Sequence, residues 1–217
     1  MKDRYDVSAL PETQFEPGSK GLVLKNLLGI KSRKEMETVE TVQYERVLEA
    51  CALHYRRDHR FSARDLLGIH REWLGEIYAW AGQYRQVNVS KGDFSFAAAA
   101  HIPALMNDFE KNILAVYTPC QSGRLSEDAN ALAIVHAELM LIHPFREGNG
   151  RLGRILADLM ALQAGFDPLD YGDIKGRKQR FYFTAVRAAV SKDYQPMRHV
   201  FEEIIRKTMR KIRRKSV

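Results

Sequence analysis

Apolar residues recur with a helical period through most of this 217-residue chain, and this constrains its fold more than any other feature of the sequence. In each such segment the apolar side chains stand three or four positions apart, which places them on one face of an α-helix. Glycine, proline or polar residues separate one segment from the next. The pattern predicts helices over residues 35–55, 62–82, 98–117, 126–143, 149–164, 176–190 and 194–214. We therefore expect an all-α fold with about seven helices, the second capped by Ser62 and the fourth by Ser126.

The period changes between residues 86 and 96, where apolar and polar residues alternate as they do in a β-strand. Val87 and Val89 precede an expected turn at Lys91-Gly92, and two phenylalanines follow it. An isolated two-stranded ribbon is marginally stable, so we expect this one to lean on helices or to be kept for a function. The hairpin segment consists of Val87, Asn88, Val89, Ser90, Lys91, Gly92, Asp93, Phe94, Ser95 and Phe96.

The formal net charge of +7 is typical of a nucleic-acid-binding protein, but it is confined to the end of the chain. Seven basic residues and no acidic one lie between residues 206 and 217, which leaves 27 charges of each sign in residues 1–205. Because no aromatic residue accompanies this basic segment, we do not expect direct nucleic-acid binding. We predict a single domain over residues 1–205, with an irregular N-terminal arm and a core at about 60–190, followed by a basic helical tail, 206–217.

Cysteine usage and hydropathy indicate where the protein works. Cys51 and Cys120 lie far apart without a C-x-x-C spacing, so a metal cluster is not expected and a reducing compartment fits. The N-terminus lacks the apolar region of a signal peptide, and no apolar run is long enough to span a membrane. These patterns predict a cytoplasmic protein with no membrane partner.

The segment from His143 to Arg154 concentrates chemistry-bearing residues at the junction of two helices. Gly148 and Gly150 flank a helix start, where unpaired backbone N–H groups and the positive end of the helix dipole attract an anion. Arg151 and Arg154 lie three residues apart, on the same face of the helix. The forked N–H donors of both guanidinium groups suit the binding of phosphates beyond the one at the turn. We therefore predict a polyphosphate site at this turn.

Two more side chains of the segment suit a reaction at phosphorus. Glu147 precedes the anion site, and one or two carboxylates are enough to hold a Mg²⁺ that bridges phosphate oxygens. His143 has a pKa suited to accepting a proton near neutrality. A base, a metal ligand and a phosphate cradle within these twelve residues indicate attack on phosphorus by a hydroxyl group.

Each of these residues also has a purely structural interpretation. A histidine at a helix end often caps or packs, and a Glu–Arg pair at a spacing of four is usually solvated surface. Gly148-x-Gly150-x-x-Gly153 also matches the dinucleotide-binding fingerprint by its letters. That fingerprint must follow a strand within a β-α-β unit, whereas here a helical period precedes it, so we reject this match.

Residues 143–154 resemble the motif H-x-F-x-(D/E)-G-N-G-R-x-x-R of the Fic family at every fixed position. The helical core of that family corresponds to residues 60–190 here, its hairpin "flap" to residues 86–96, and its N-terminal arm to residues 24–30. The resemblance implies the Fic fold and the activity of a protein adenylyltransferase. Such an enzyme moves AMP from its co-substrate ATP to a Ser, Thr or Tyr hydroxyl of a target protein and releases pyrophosphate.

The resemblance also implies a role for each residue of the motif. His143 would take the proton from the target hydroxyl, Glu147 would hold Mg²⁺, and Phe145 would anchor the loop in the core. The hairpin segment would register the target through main-chain contacts. The phosphates would lie against Gly148, Asn149 and Gly150, with Arg151 on the β-phosphate and Arg154 on the γ-phosphate.

The transferred group stays open at this point. The Doc branch, which phosphorylates, carries Lys where this chain has Gly150, so nucleotidyl transfer is favoured. Other relatives move UMP, GMP or phosphocholine, and residues 170–182 are our candidate for one wall of the base pocket. From another functional class, the alternative is an inactive domain that only binds nucleotide or docks to a partner, and the presence of both the base and the metal ligand argues against it.

Regulation is the last expectation from the sequence. Many Fic proteins are silenced by a helix with the pattern (S/T)-x-x-x-E-(G/N), whose Glu pairs with the second arginine of the motif. The partial matches from Ser8 to Glu12 and from Thr41 to Glu45 both lack its final residue. We therefore expect a toxin controlled by a separate small antitoxin that supplies this Glu, with a type II topoisomerase as the kind of target that similar toxins modify.

Overall fold

The computed structural model describes residues 10–215, with side chains as far as residue 211, and over this range it is a helical fold with one small hairpin. This confirms the predicted all-α architecture. Helix α3, Ile102–Phe109, continues through a π-helical segment, Glu110–Leu114, and a last turn, Ala115–Tyr117. The helices are α1 Arg33–His54, α2 Ala63–Leu74, α3 Ile102–Phe109, α4 Leu125–Ile142, α5 Asn149–Gln163, α6 Gly176–Ala188 and α7 Gln195–Lys215, and the strands are β1 Ser90–Lys91 and β2 Phe94–Ser95.

The central element is α4, most of whose residues are buried because α5 and α7 pack along it. Small side chains such as Ala133 and Ala137, both fully buried, let the neighbouring helices approach closely. Gly153 of α5 meets α4 so closely that a Cβ there would lie 2.7 Å from the Cε of Met140. The two helices that flank the motif loop are therefore held in a fixed relation.

Two helix starts test the predicted caps. Ser62 caps α2 through a capping box, since its hydroxyl accepts from the N–H of Asp65 at 3.2 Å and the Asp65 carboxylate accepts from the N–H of Ser62 at 2.8 Å. The cap predicted at Ser126 is wrong, because α4 begins one residue earlier, after Arg124. Helix α2 also ends at Leu74, eight residues before the predicted end, and turns follow it.

The hairpin segment forms with a shifted turn. Lys91 pairs with Phe94, so the turn consists of Gly92 and Asp93 and not of Lys91-Gly92 as predicted. Gly92 has φ of +61°, a conformation that favours glycine at the first position of a two-residue hairpin loop. The ladder is short, two residues a strand, and the N–H of Phe96 extends it by donating to the Val89 carbonyl at 3.2 Å.

The N-terminal arm, from residue 10 onward, and helix α7 pack on this core. The arm is irregular, is tied by a bridge between Phe15 and Leu24, and buries Val23. The basic tail expected from residue 206 is a continuation of α7, and Thr208 within it is buried. Three of its basic side chains and one end of a partial inhibitory match lie outside the described residues: Arg213, Arg214 and Lys215, and Ser8.

Cys51 and Cys120 are buried free thiols. Across residues 10–215, no helix is both long enough and apolar enough to cross a bilayer.

Candidate active site

The motif loop begins where His143 ends α4 with a left-handed backbone, φ 51° and ψ 60°. Its N–H still donates to the Leu139 carbonyl at 2.9 Å, as in a helix. Pro144 follows and cannot continue the helix, because it has no N–H to donate. The chain therefore leaves the axis of α4 here and begins α5 six residues later, at Asn149.

The ring of His143 is held on two sides. It stacks on Phe96 of the hairpin segment, with centroids 3.7 Å apart and planes 16° apart. Nδ1 lies 3.3 Å from the carbonyl of Met140, and because a carbonyl only accepts, Nδ1 carries the proton. Burial lowers the pKa of His143 to about 4. The imidazole is therefore neutral at pH 7, and because no residue from 10 to 211 donates to Nε2, its lone pair can accept a proton.

The interior of the loop is closed by Asn149 and Phe145. The Asn149 side chain accepts from the Phe145 N–H at 2.9 Å and donates to the Phe145 carbonyl at 2.8 Å. The Phe145 ring is fully buried and stacks on His70, at 3.9 Å and 7°. Phe145 thus anchors the loop, while Asn149 can offer a phosphate its main chain alone.

His70 of α2 links that helix to the motif loop. Its Nδ1 accepts from the N–H of Gly82 at 2.9 Å, so its Nε2 carries the proton and donates to the carbonyl of Glu147 at 3.1 Å. Burial lowers the pKa of His70 to about 4, which keeps the ring neutral. Its contacts fix the main chain at Glu147, just before the turn.

The two glycines of the turn differ in what they require. Gly148 has φ of +84°, and a Cβ there would lie 2.7 Å from a ring carbon of Trp73, so the position admits only glycine without rearrangement. Gly150 has no heavy atom within 4 Å of an ideal Cβ. A larger side chain would therefore fit at Gly150 without a steric clash at its Cβ.

Glu147 is the carboxylate nearest the turn, and its side chain is 46% exposed. Its Oε1 accepts from the N–H of Gly148 at 2.9 Å and lies 3.4 Å from Nη2 of Arg151. A single accessible carboxylate beside an anion site fits Mg²⁺, which takes one or two protein ligands and completes its shell with phosphate oxygens and water.

Arg151 is anchored before any ligand binds. Its Nη1 lies 2.6 Å from Oε2 of Glu40, a buried residue of α1, and its guanidinium stands over the ring of Trp73 at 4.6 Å. Oε1 of Glu40 accepts from the Tyr78 hydroxyl at 2.8 Å, and the Glu40 carbonyl accepts from Trp73 Nε1 at 3.0 Å. An ion pair and a cation–π contact therefore hold the guanidinium of Arg151, the residue expected to bind the β-phosphate, in a fixed position.

Arg154 has a different environment. Its guanidinium lies over the ring of Tyr171 at 5.4 Å, and in the described part of the chain no carboxylate forms a salt bridge with it. Asp158, one turn further along α5, is buried, which raises its pKa to about 7, and it accepts from the N–H of Leu169 at 2.8 Å. The guanidinium of Arg154 is thus supported from below by an aromatic ring and is free of a counterion among these residues.

A cavity of about 780 Å³ brings the predicted residues together. Seven of the ten hairpin-segment residues line it; Val87, Asn88 and Ser95 do not. All the predicted catalytic, metal-binding and phosphate-binding residues of the motif also line this cavity: His143, Glu147, Gly148, Asn149, Gly150, Arg151 and Arg154.

Helix α6 forms the opposite wall of this cavity. Of the predicted wall 170–182, Gln179, Arg180 and Tyr182 line the cavity, and the wall continues to residue 187. The Tyr182 hydroxyl donates to Nε2 of His136 at 2.7 Å, and Nδ1 of His136 donates to the Gly153 carbonyl at 3.1 Å. His136 therefore ties α6 to the motif helix.

The hairpin reaches across the cavity to α6. Arg187 pairs with Asp93 in the turn, and Lys91 stands over the ring of Phe183 at 4.0 Å. These contacts cover one side of the cavity.

Four residues that support the motif were not predicted from the sequence: His70, Glu40, Trp73, and Arg85, whose Nε donates to the His143 carbonyl at 2.8 Å. His70 lies in an apolar helical stripe, and a polar residue there is a signal that could have found it. Glu40, Trp73 and Arg85 carry no such signal, because their partners are main-chain groups or lie far away along the chain.

This chain is similar to known proteins over a range that includes the motif residues. The profile of the Fic/DOC family matches residues 60–161. The protein adenylyltransferase VbhT of Bartonella schoenbuchensis is 31% identical over 164 residues, which are 75% of this chain and 33% of that protein. The protein adenylyltransferase Fic of Nematostella vectensis is 32% identical over 139 residues, 61% of this chain and 29% of that protein.

A solved structure agrees over a larger share of its own length. The N-terminal Fic domain of a VirB-translocated Bep effector protein from Bartonella quintana, with bound ADP, superposes with a TM-score of 0.70 at 25% identity, covering 88% of this chain and 94% of that one. The chain spans about a third of the length of the two adenylyltransferases that it matches. It carries a domain of the Fic/DOC family.

Proposed function

We propose that this chain transfers AMP from ATP to a hydroxyl group of a target protein. The observation that carries the proposal is that a neutral histidine, a carboxylate, a glycine turn and two arginines line one cavity. The adenylyltransferase relatives and the ADP-bound Bartonella quintana domain support a nucleotide substrate with at least two phosphates.

The reaction would proceed as an in-line displacement at the α-phosphorus. The oxygen of the target hydroxyl attacks this phosphorus, and Nε2 of His143 accepts the hydroxyl proton. The bond from the α-phosphorus to the bridging oxygen breaks, and pyrophosphate leaves with the electron pair. The lowered pKa of His143 supports this role, because the base is in its accepting form at neutral pH.

The phosphates would lie against the start of α5. The N–H of Gly148 is already bonded to Glu147, so the main chain from Asn149 onward and the arginines supply the remaining donors. Glu147 would hold Mg²⁺, and such an ion, when bound, neutralises charge on the phosphate oxygens. Arg151 would meet the β-phosphate and Arg154 the γ-phosphate.

The hairpin would present the target. Ser90, Lys91 and Ser95 are exposed, and in the described part of the chain no third strand lies beside β1 or β2. An extended segment of the target can therefore add to a free edge, main chain to main chain, without demanding a particular sequence. The stacking of Phe96 on His143 puts the base next to that edge.

For control and setting we propose a toxin that works in the cytoplasm and is restrained by a separate small antitoxin, with a type II topoisomerase as its target. In support, the guanidinium of Arg154 meets no carboxylate among the described residues, so an inhibitory Glu can come from a partner. Free buried thiols fit a reducing compartment.

The decisive experiment follows the label from ATP into protein. The full chain and its His143→Ala variant are incubated with Mg²⁺, a cell lysate, and ATP labelled at the α- or the γ-phosphate. His54→Ala, which changes an exposed histidine of α1, is the matched control. We expect α-label in protein with the wild type and the control, and none with His143→Ala.

Other outcomes would contradict the proposal in distinct ways. Incorporation of γ-label would indicate phosphate transfer. Incorporation from UTP or GTP in place of ATP would change the transferred nucleotide. Nucleotide binding without any label would leave a binding or docking module. If the purified wild type labels neither itself nor a lysate protein without a partner, the antitoxin-controlled toxin is contradicted.

A further inference from the structure

Arg85 is a buried arginine that no motif contains. It stands between α2 and the hairpin, and only 2% of its surface is exposed. Burying a guanidinium is costly unless its N–H groups find acceptors, so the partners of Arg85 indicate what it is kept for.

The acceptors are main-chain carbonyls of two separate segments. Nη1 donates to the Val87 carbonyl at 2.6 Å and Nη2 to the Ala97 carbonyl at 2.5 Å, so the guanidinium holds both ends of the hairpin. Nε donates to the His143 carbonyl at 2.8 Å, and Nη2 also lies 3.4 Å from the Ile142 carbonyl.

The main chain of Arg85 also bonds to the motif loop, since its N–H donates to the Pro144 carbonyl at 2.9 Å. Arg85 therefore bonds three consecutive carbonyls, at residues 142 to 144, as well as both stems of the hairpin. The His143 backbone is left-handed at this point, a conformation that a side chain disfavours, and these bonds hold it there.

A buried carboxylate from the N-terminal arm is bonded to the residue that follows Arg85. Glu12 is 6% exposed, and its Oε1 accepts from the N–H of Gln86 at 2.7 Å. Its carbonyl accepts from Nε of Arg146 in the motif loop at 2.9 Å. Burial lowers the pKa of Arg85, and the negative charge of Glu12 opposes that shift although the two side chains form no salt bridge.

We propose that Arg85 is a positioning residue that sets the hairpin against the base, and that the carboxylate of Glu12, bonded to the main chain of the next residue, supports it. This inference rests on the proposed function, in which the hairpin delivers a target hydroxyl to Nε2 of His143. Because Arg85 binds the carbonyls of both His143 and Ala97, the distance between the delivered hydroxyl and the base depends on one planar group.

The geometry of the guanidinium explains why lysine would not serve. Its donors diverge in one plane and reach carbonyls of the two segments at once. An ammonium group on a flexible stem can satisfy some of these carbonyls and leaves the others buried without a donor. Arg85→Lys therefore keeps the charge and removes the geometry.

The test compares Arg85→Lys with the wild type and with Arg56→Lys, a matched change of an arginine that is 85% exposed. Calorimetry measures the binding of ATP with Mg²⁺, label transfer measures turnover, and hydrogen exchange reports on residues 86–97. We expect Arg85→Lys to bind ATP as the wild type does, to lose about 100-fold in kcat, as displacement of a reacting group by about 1 Å can cause, and to exchange faster across the hairpin. Arg56→Lys should match the wild type in all three.

Unchanged turnover or unchanged exchange in Arg85→Lys would overturn the inference, and so would an equal loss of ATP binding, which would indicate general destabilisation. If Arg85→Lys does not fold, Glu12→Gln replaces it, since its amide oxygen still accepts from Gln86 while the charge is gone. We expect the same changes in smaller degree, and wild-type behaviour would overturn the role of Glu12. If the wild type itself transfers no label, the proposed function fails, and hydrogen exchange still decides on Arg85.

Discussion

Replacing Gly148 with alanine should destabilise the protein far more than the same change two residues further on. At Gly148 the backbone has φ of +84°, which costs a residue with a Cβ about 1–2 kcal/mol. The new Cβ would lie 2.7 Å from Trp73, which is fully buried and bonded to the Glu40 carbonyl and so cannot easily move. Overpacking of this kind costs about 1–3 kcal/mol. The free energy of unfolding should therefore fall by about 2–5 kcal/mol in total.

Gly150→Ala is the matched control, because a Cβ there meets nothing within 4 Å and the residue lies in the first turn of α5. Alanine favours a helix over glycine by about 1 kcal/mol, so this variant should be as stable as the wild type or slightly more stable. Urea unfolding followed by tryptophan fluorescence measures both. Equal stability of Gly148→Ala and wild type, or an equal loss in the two variants, would refute the reasoning.

Three further predictions concern pH, the loop and the second arginine. Burial lowers the pKa of His136 from 6.5 to about 4. The unfolded chain therefore takes up the proton first as pH falls, and the free energy of unfolding drops by about 3 kcal/mol between pH 6.5 and pH 4. Asp158, with its pKa raised to about 7, acts in the opposite direction, because the folded protein takes up this proton before the unfolded chain does. Asp158→Asn should therefore lose stability more steeply than the wild type on acidification, as urea unfolding at a series of pH values would show. The same slope in both proteins would contradict this. Asn149→Ala leaves two buried backbone groups of the loop unpaired and should cost about 2–4 kcal/mol in urea unfolding, and a loss below 1 kcal/mol would count against it. Asp170→Ala should weaken ATP binding about twofold to fivefold in calorimetry by loosening the loop beneath Arg154, with ADP binding unaffected; equal weakening of both nucleotides would refute this.

Most of the fold could be predicted because its helices carry their own signals. The period of apolar residues and the stop at Pro144 locate the ends of α4 and α5 to within a residue or two. The signal fails where tertiary contacts decide: α2 stops at Leu74, where the chain turns so that Gly82 can bond to His70, and no local pattern encodes that bond. The turn of the hairpin is off by one because alternation fixes a face and leaves the register open.

The candidate site likewise contains residues that the sequence could predict and residues that it could not. Residues from His143 to Arg154 are close in sequence, so spacing on one turn and one helix predicts their meeting. Arg85 lies 58 residues from His143 and binds its carbonyl, and Glu40 reaches Arg151 from α1. Main-chain carbonyls are present at every residue, so a sequence gives no indication of which of them a buried arginine will bind.

The basic residues of the last helix show how charge can mislead when it is counted along the chain. Residues 206–217 hold seven positive charges without an acid, which predicts a solvated tail. In the structure Lys207 lies 2.9 Å from Asp173 and 3.3 Å from Asp170, and Lys211 lies 2.9 Å from Asp170. The acids that balance these lysines stand more than thirty residues earlier, in the loop before α6.

This balance connects α7 to the candidate site. The main-chain N–H of Asp170 also donates to the buried Thr208 hydroxyl at 2.9 Å, so α7 fixes both the main chain and the side chain of the loop. The next residue, Tyr171, lies under the guanidinium of Arg154 and donates to its carbonyl at 3.4 Å. A chain shortened at Arg206 would lose Lys207 and Thr208 together and release this loop. The last turns of α7 therefore belong to the support of the second arginine, although their sequence alone indicates a free end.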